Sequence, residues 1–131
     1  MQYPHHQLTE QIIGAAISVH RTLGPGFLEV IYENALKHEL SKIGLSARQQ
    51  QVFPVIYDGV TVGEHRVDLI VEGLILLELK AVERMTPVFV AQTISSLRAA
   101  NLDIGLLINF NEKVLKDGIK RITVKNNQQS G

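Results

Sequence analysis

The chain contains no cysteine and no tryptophan, and only three tyrosines and four phenylalanines. Without cysteine there is neither a disulfide framework nor a zinc–thiolate site, which fits a reducing compartment. With aromatic residues at 5% and no tryptophan, a stacking platform for single-stranded nucleic acid is not expected. No apolar run approaches about 18 residues, so no segment is expected to span a membrane. The opening stretch, MQYPHHQLTEQ, lacks the basic-then-apolar pattern of a secretion signal. A cytoplasmic protein is the expectation.

Net charge is also missing, since 13 Lys/Arg balance 13 Asp/Glu. A nucleic-acid-binding domain usually carries a basic footprint, and this chain has none overall. The balance hides an asymmetry. Residues 1–83 hold ten Asp/Glu against six Lys/Arg, and residues 84–131 hold three against seven. The acidic part has the charge to hold cations and the basic part the charge to meet phosphate; solvated surface explains the same imbalance. The basic candidates are Arg84, Arg98, Lys113, Lys116, Lys120, Arg121 and Lys125.

What is present reads as one folded unit. A chain of 131 residues, 45% hydrophobic and 20% charged, is expected to form a single domain over residues 1–125, with a polar, frayed tail at 126–131. Thr9 has the chemistry of a helix N-cap, and His5-His6 is expected to lie outside ordered structure. After Thr9, Ile12, Ile13, Ala16, Ile17, His20 and Leu23 recur at helical spacing until Gly24-Pro25-Gly26. A second helix is predicted over 28–43, with Leu28, Ile31, Tyr32, Ala35, Leu36, Leu40 and Ile43 on its apolar stripe. The period then changes to two. Strands are predicted at 50–57 and 60–71 around the turn signal Asp58-Gly59, and at 74–81 after Glu72-Gly73. Thr86-Pro87 opens a helix to about residue 100. The run IGLLINF at 104–110 reads as a buried strand, and 119–124 as a weaker final one. The order α-α-β-β-β-α-β, with a possible final β, implies an α/β sandwich around a mixed sheet.

In LLELKA, residues 76–81, Leu76, Glu78 and Lys80 share one strand face, which turns from apolar to charged. A buried carboxylate needs a partner, because burying it unpaired costs several kcal/mol. Lys80 is one candidate partner, as a structural ion pair, and a cation is another. Asp68 lies one strand upstream. If Asp68 opposes Glu78, then Ile70 opposes Leu76 and Val71 opposes Ile75, leaving the three-residue loop Glu72-Gly73-Leu74. Gly73 supplies the positive φ that such a loop wants. A two-residue turn would instead set Asp68 against Leu77, on the wrong face. Asp, Glu and Lys at one spot suit metal-assisted phosphodiester hydrolysis. Two carboxylates and a main-chain carbonyl suit Mg²⁺, and the lysine orients water or offsets phosphate charge.

Asp68 followed by Glu78-Leu79-Lys80, after a helix and a hairpin, resembles the PD-(D/E)XK nuclease superfamily. Gly26-Phe27-Leu28-Glu29-Val30-Ile31-Tyr32 is similar to the pattern that names the small bacterial GxxExxY family. His20 to Gly26, Leu77 to Glu83 and Leu106 to Phe110 also resemble blocks of that family, over roughly residues 8–124. The resemblance implies a restriction-endonuclease-like core, a mixed β-sheet flanked by helices with the site at one end. It implies Asp68 and Glu78 as metal ligands, assisted by the Leu79 carbonyl, with Mg²⁺ or Mn²⁺ as the ion. Lys80 would be the catalytic lysine and Glu29 an additional acid. Gln92 matches the first member of a Gln-x-x-x-Tyr pair carried by many nucleases of the superfamily, but the fourth residue after it is Ser96.

The implied function is a Mg²⁺-dependent nuclease acting on DNA or RNA. The alternative is a non-catalytic nucleic-acid-binding or assembly module on the same scaffold, as a possible homodimer. From the residues alone, other roles stay open. Glu29 in a first helical turn is favoured by the helix dipole. Tyr32 on the apolar stripe suits packing, His20 suits a hydrogen-bonded core position, and Arg66 suits pairing with a nearby acid.

Overall fold

The computed structural model describes residues 4–126. Its elements run α1 (His6–Leu23), α2 (Glu29–Lys42), β1 (Ala47–Tyr57), β2 (Val60–Val71), β3 (Ile75–Lys80), α3 (Pro87–Ala100), β4 (Ile104–Asn109), a 3₁₀ turn at Leu115–Gly118, and β5 (Ile119–Thr123). The expected order holds and the final strand forms. The sheet is ordered β1-β2-β3-β4-β5. Neighbours are antiparallel except β3 and β4, which run parallel and are joined across by α3.

Each sheet face buries a separate apolar layer. Leu69, Val71, Ile75, Leu77, Leu79, Leu106 and Ile108 meet α1 and α2 through Ile12, Ala16, Leu36 and Leu40. Val67, Ile70, Leu76 and Leu107 meet α3 through Leu97 and Phe89. β4 is buried along its whole length, as a run without alternation predicts.

Two tight turns set the strand register. Asp58 and Gly59 take φ of 54° and 76°, and Glu72 and Gly73 take 55° and 66°. Consecutive positive φ values suit the right-handed twist of the flanking strands. At the second turn Leu74 N–H donates to Val71 O at 3.0 Å. Glu72 also fastens the turn to the loop before β1, because Ser46 N–H donates to its carboxylate at 2.7 Å.

Some expectations need correction. α1 begins at His6, so His5-His6 is not outside the fold, and Thr9 is no cap. The Thr9 hydroxyl donates back to His6 O at 2.9 Å inside the first turn. β1 starts at Ala47 rather than 50, because Gln49-Gln50-Gln51 hides its apolar period. The inward face of α2 is rotated from the predicted stripe: Tyr32, Glu33, Leu36 and Leu40 are buried, while Leu28, Ile31 and Ile43 are exposed. Asn126 is bound to Leu102 O and Asp103 through its side-chain amide. The rest of the expected tail, residues 127–131, lies outside the described residues.

Candidate metal centre at the rim of the sheet

β2 and β3 pair as Val71↔Ile75, Ile70↔Leu76 and Leu69↔Leu77. That is the register of the three-residue loop, and its next step would oppose Asp68 to Glu78. There the ladder stops. On the other side, β1 and β2 pair at Gln49↔Leu69 and again at Gln51↔Val67, skipping Gln50 and Asp68. Gln50 sits at φ 55°, a left-handed conformation that non-glycine residues adopt only where context holds them. Side-chain alternation slips at the same place. Ile70 faces the α3 layer, and so does Val67, three residues away, although strict alternation would put them on opposite faces. One residue is skipped on each strand and the register is kept, so this is a local break in the ladder and not a β-bulge; the register shift of this pair lies at Val55/Ile56.

Asp68 therefore stands in a gap between parting strands. Its Oδ2 accepts a hydrogen bond from Leu79 N–H at 2.9 Å, satisfying a donor whose loss would cost about 1–3 kcal/mol. In an extended strand a residue's N–H and C=O point the same way, so the Leu79 carbonyl faces the gap as well. Glu78 enters from the α3 side, where Ser96 Oγ donates to its Oε1 at 2.9 Å. Each carboxylate thus binds the protein through one oxygen. Among the described residues, Asp68 Oδ1 and Glu78 Oε2 make no hydrogen bond.

The site is short of positive charge. Burial first, and then the charge of Asp68, push the Glu78 carboxyl up from 4.5 to about 7; the Ser96 hydrogen bond and Lys80 oppose the shift, and Glu29 adds least to it. A shift of that size corresponds to about 3 kcal/mol against the ionised form. Lys80 does not neutralise it by contact. Its Nζ lies over the Phe89 ring, 4.7 Å from the centroid. Among the described residues the one ion pair within 4.0 Å is Lys42 with Glu39. The structural Glu78–Lys80 pair and the Arg66 pairing are therefore not formed.

α2 brings two acids. Glu29 is its first residue and is exposed. The Gly-x-x-Glu-x-x-Tyr stretch explains how it is held. Tyr32, fully buried, donates its hydroxyl to Gly24 O, accepts from Phe27 N–H at 3.1 Å and stacks on Phe110 at 4.6 Å. The intervening Gly26 sits at φ 114°, open to glycine and poorly to other residues. Tyr32 is thus a brace for the loop that launches Glu29, as its apolar position predicts.

Glu33 was missed. It is 6% exposed and held by Gln50 at 2.8 Å and Gln49 at 2.7 Å. Burial raises its pKa most, the two glutamines oppose the shift, and the charges of Asp68 and Glu29 add to it. It lies one turn after Glu29, a spacing that could have revealed it, but the stripe assigned to α2 turned it outward.

On α3, Gln92 is exposed, and its backbone carbonyl lies 3.0 Å from the Ser96 hydroxyl. Ser96, rather than Gln92, reaches Glu78. His20 serves the fold: its Nε2 lies 2.7 Å from Glu112 O, joining α1 to the loop after β4. Asn109 fixes the chain beyond Lys80, donating to Val82 O at 2.9 Å and accepting from Val82 N–H at 3.0 Å. Of the basic candidates, Arg121 is engaged with Thr9 and Pro4 O, and the other six are exposed.

Among the described residues, no three His, Asp or Glu side chains gather as a metal-binding group. The set at the gap is two carboxylate oxygens and a main-chain carbonyl. Oxygen-only donors fit a hard divalent cation that keeps several waters. No helix among the described residues is long and apolar enough to cross a membrane.

No curated protein and no solved structure matches the chain. A family model of the PD-(D/E)XK nuclease superfamily matches residues 6–122, from the first residue of α1 into β5. Nucleases of that superfamily generally use divalent metal ions, and the mixed sheet flanked by helices is of the restriction-endonuclease-like kind. The match takes in every element of the fold together with the acidic gap, and on that ground the chain belongs to the PD-(D/E)XK nuclease superfamily.

Proposed function

We propose that the protein is a divalent-metal-dependent nuclease that hydrolyses phosphodiester bonds of DNA or RNA. Asp68, Glu78 and the Leu79 carbonyl would hold Mg²⁺, or Mn²⁺ in its place. One observation carries the reading: two carboxylates flank the gap between β2 and β3, each with one oxygen engaged by the protein and one left over. Bound there, the ion would supply Lewis acidity at the phosphate and favour ionised water.

The chain's own groups supply the rest. Lys80 would leave its resting contact over Phe89, orient the attacking water and offset charge on the phosphate. Glu29, at the mouth of the site on α2, would extend the acidic cage. Gln92, exposed on α3, would help position the substrate backbone. The experiment is cleavage of single-stranded, double-stranded and structured DNA and RNA with Mg²⁺ or Mn²⁺, comparing wild type with Lys80→Ala. Metal-dependent cutting that Lys80→Ala abolishes is expected. Identical behaviour of the two proteins on every substrate would refute the reading.

A second reading, a non-catalytic assembly module, is favoured by the β1–β2 hairpin. Ile56, Tyr57, Val60 and Val62 there are 56–73% exposed, a grouping of apolar side chains that marks contact surfaces. In this reading a second copy covers the hairpin. Light scattering that shows a monomer at every concentration, together with measured cleavage, would exclude it.

A further inference from the structure

We propose that Ser96 and His65 form a hydrogen-bonded relay that aims the Glu78 carboxylate at the cation, Ser96 acting from the helix position where the superfamily resemblance expects a tyrosine. The proposal rests on the metal-site reading above.

Ser96 is 1% exposed in the middle of α3. A serine in such a position commonly bonds back to the carbonyl four residues earlier, and Gln92 O is available at 3.0 Å. Yet the same hydroxyl lies 2.9 Å from Glu78 Oε1 and 2.7 Å from His65 Nε2. A hydroxyl has one proton to give and two lone pairs to offer. Gln92 O only accepts, and so does an ionised Glu78. When the Ser96 proton is given to Glu78, the contact with His65 is a hydrogen bond only if Nε2 carries a proton and donates it. Serving the carboxylate therefore fixes the direction of the whole chain: His65 Nε2–H to Ser96 Oγ, and Ser96 O–H to Glu78 Oε1.

The slip in β2 brings His65 into this chain. Strict alternation back from Ile70 would turn Glu64 and Arg66 toward α3. Because the alternation fails between Val67 and Ile70, His65 faces α3 instead and meets Ser96. The irregularity that opens the gap at Asp68 thus also supplies the support for Glu78. With Oε1 held from behind, Oε2 is the oxygen presented to a ligand. Ser96 and His65 are positioning residues, because neither is argued to touch the substrate or the ion. Partners of this kind orient ligating groups, and their removal typically weakens metal affinity about 10–100-fold.

The test is calorimetric titration of Mn²⁺ into wild type, Ser96→Ala, Ser96→Thr, His65→Phe and Glu78→Gln, with thermal unfolding of each metal-free protein alongside. Ser96→Ala is expected to weaken Mn²⁺ binding about tenfold. Ser96→Thr, which keeps the hydroxyl, is expected to restore most of it, and His65→Phe to lose less in the same direction. Cleavage by Ser96→Ala, poor at low Mn²⁺, should recover as Mn²⁺ saturates; a purely structural role would not produce that recovery. Wild-type Mn²⁺ affinity in Ser96→Ala, with binding lost in Glu78→Gln, would overturn the relay and leave the metal site standing. Unaltered binding in Glu78→Gln would overturn the metal site and the relay together. Should Ser96→Ala fail to fold, His65→Phe decides at a half-buried position, where unchanged affinity overturns the proposal.

Discussion

The β2–β3 pair has two ends that differ in what their side chains want. At the end near Gly73, Val71, Ile70 and Leu69 face Ile75, Leu76 and Leu77 in regular register, and these side chains are almost fully buried. One residue further on, the next step would oppose Asp68 to Glu78, and there the ladder stops. Paired there, two carboxylates would be directly opposed and would repel each other. The parted strands let Asp68 turn to the Leu79 N–H and Glu78 to Ser96. The zipped end holds the register, and the split end uses it. Apolar burial dominates the first. At the second, desolvation and repulsion work against the ionised form of Glu78.

The comparison is sharpened most by function. Asp68→Asn or Lys80→Ala should lower metal-dependent cleavage by at least about 100-fold, the scale seen when a group stabilising transition-state charge is removed; steady-state rates at saturating Mg²⁺ check this. At the zipped end, Leu77→Ala should cost about 3 kcal/mol of stability, as large-to-small changes at fully buried sites do. Urea denaturation reads that loss, and the same change should leave Mn²⁺ affinity little altered in protein that remains folded.

Glu78 should respond with the opposite sign. Its folded pKa is about 7 against an ordinary 4.5. The folded state therefore keeps a proton that the unfolded chain has lost, and metal-free stability falls as pH rises from 4.5 to about 7 and then levels off. At pH 8, Glu78→Gln should be more stable than wild type by roughly 2 kcal/mol, with the difference gone near pH 4. Saturating Mn²⁺ should stabilise wild type at pH 8 and leave Glu78→Gln unmoved. Equal denaturation midpoints for the two metal-free proteins at pH 8 would mean that the split end carries no electrostatic burden.

The smallest effect concerns the brace. Tyr32→Phe removes a hydrogen bond to Gly24 O and the acceptor for Phe27 N–H. It should cost about 1–2 kcal/mol, and cleavage should fall as the start of α2 loosens around Glu29. Thermal unfolding and kcat measured together separate the two consequences.

Much of this was legible in the residues. Period-two patterning, Gly73 and the length of the third strand suffice for the register, because one wrong step would turn a whole apolar set outward. Alternation also suffices to put Glu78 on the face of Leu76. The slip in β2 was not legible. It depends on Gln50 holding a left-handed backbone under Glu33, and no pattern in Gln49-Gln50-Gln51 announces that. Glu33 itself was hidden by a helix period that fits more than one orientation when Leu28, Ile31 and Ile43 are apolar but exposed. In the sequence Ser96 shows only the absence of a tyrosine; its hydrogen bond to Glu78 depends on α3 lying against the sheet.

A crystal soaked in Mn²⁺, with anomalous scattering recorded, tests the metal site most directly. The account predicts one strong peak in the β2–β3 gap, within bonding distance of Asp68, Glu78 and the Leu79 carbonyl oxygen. Full soaking with no peak there, or with the ion held elsewhere, would contradict it.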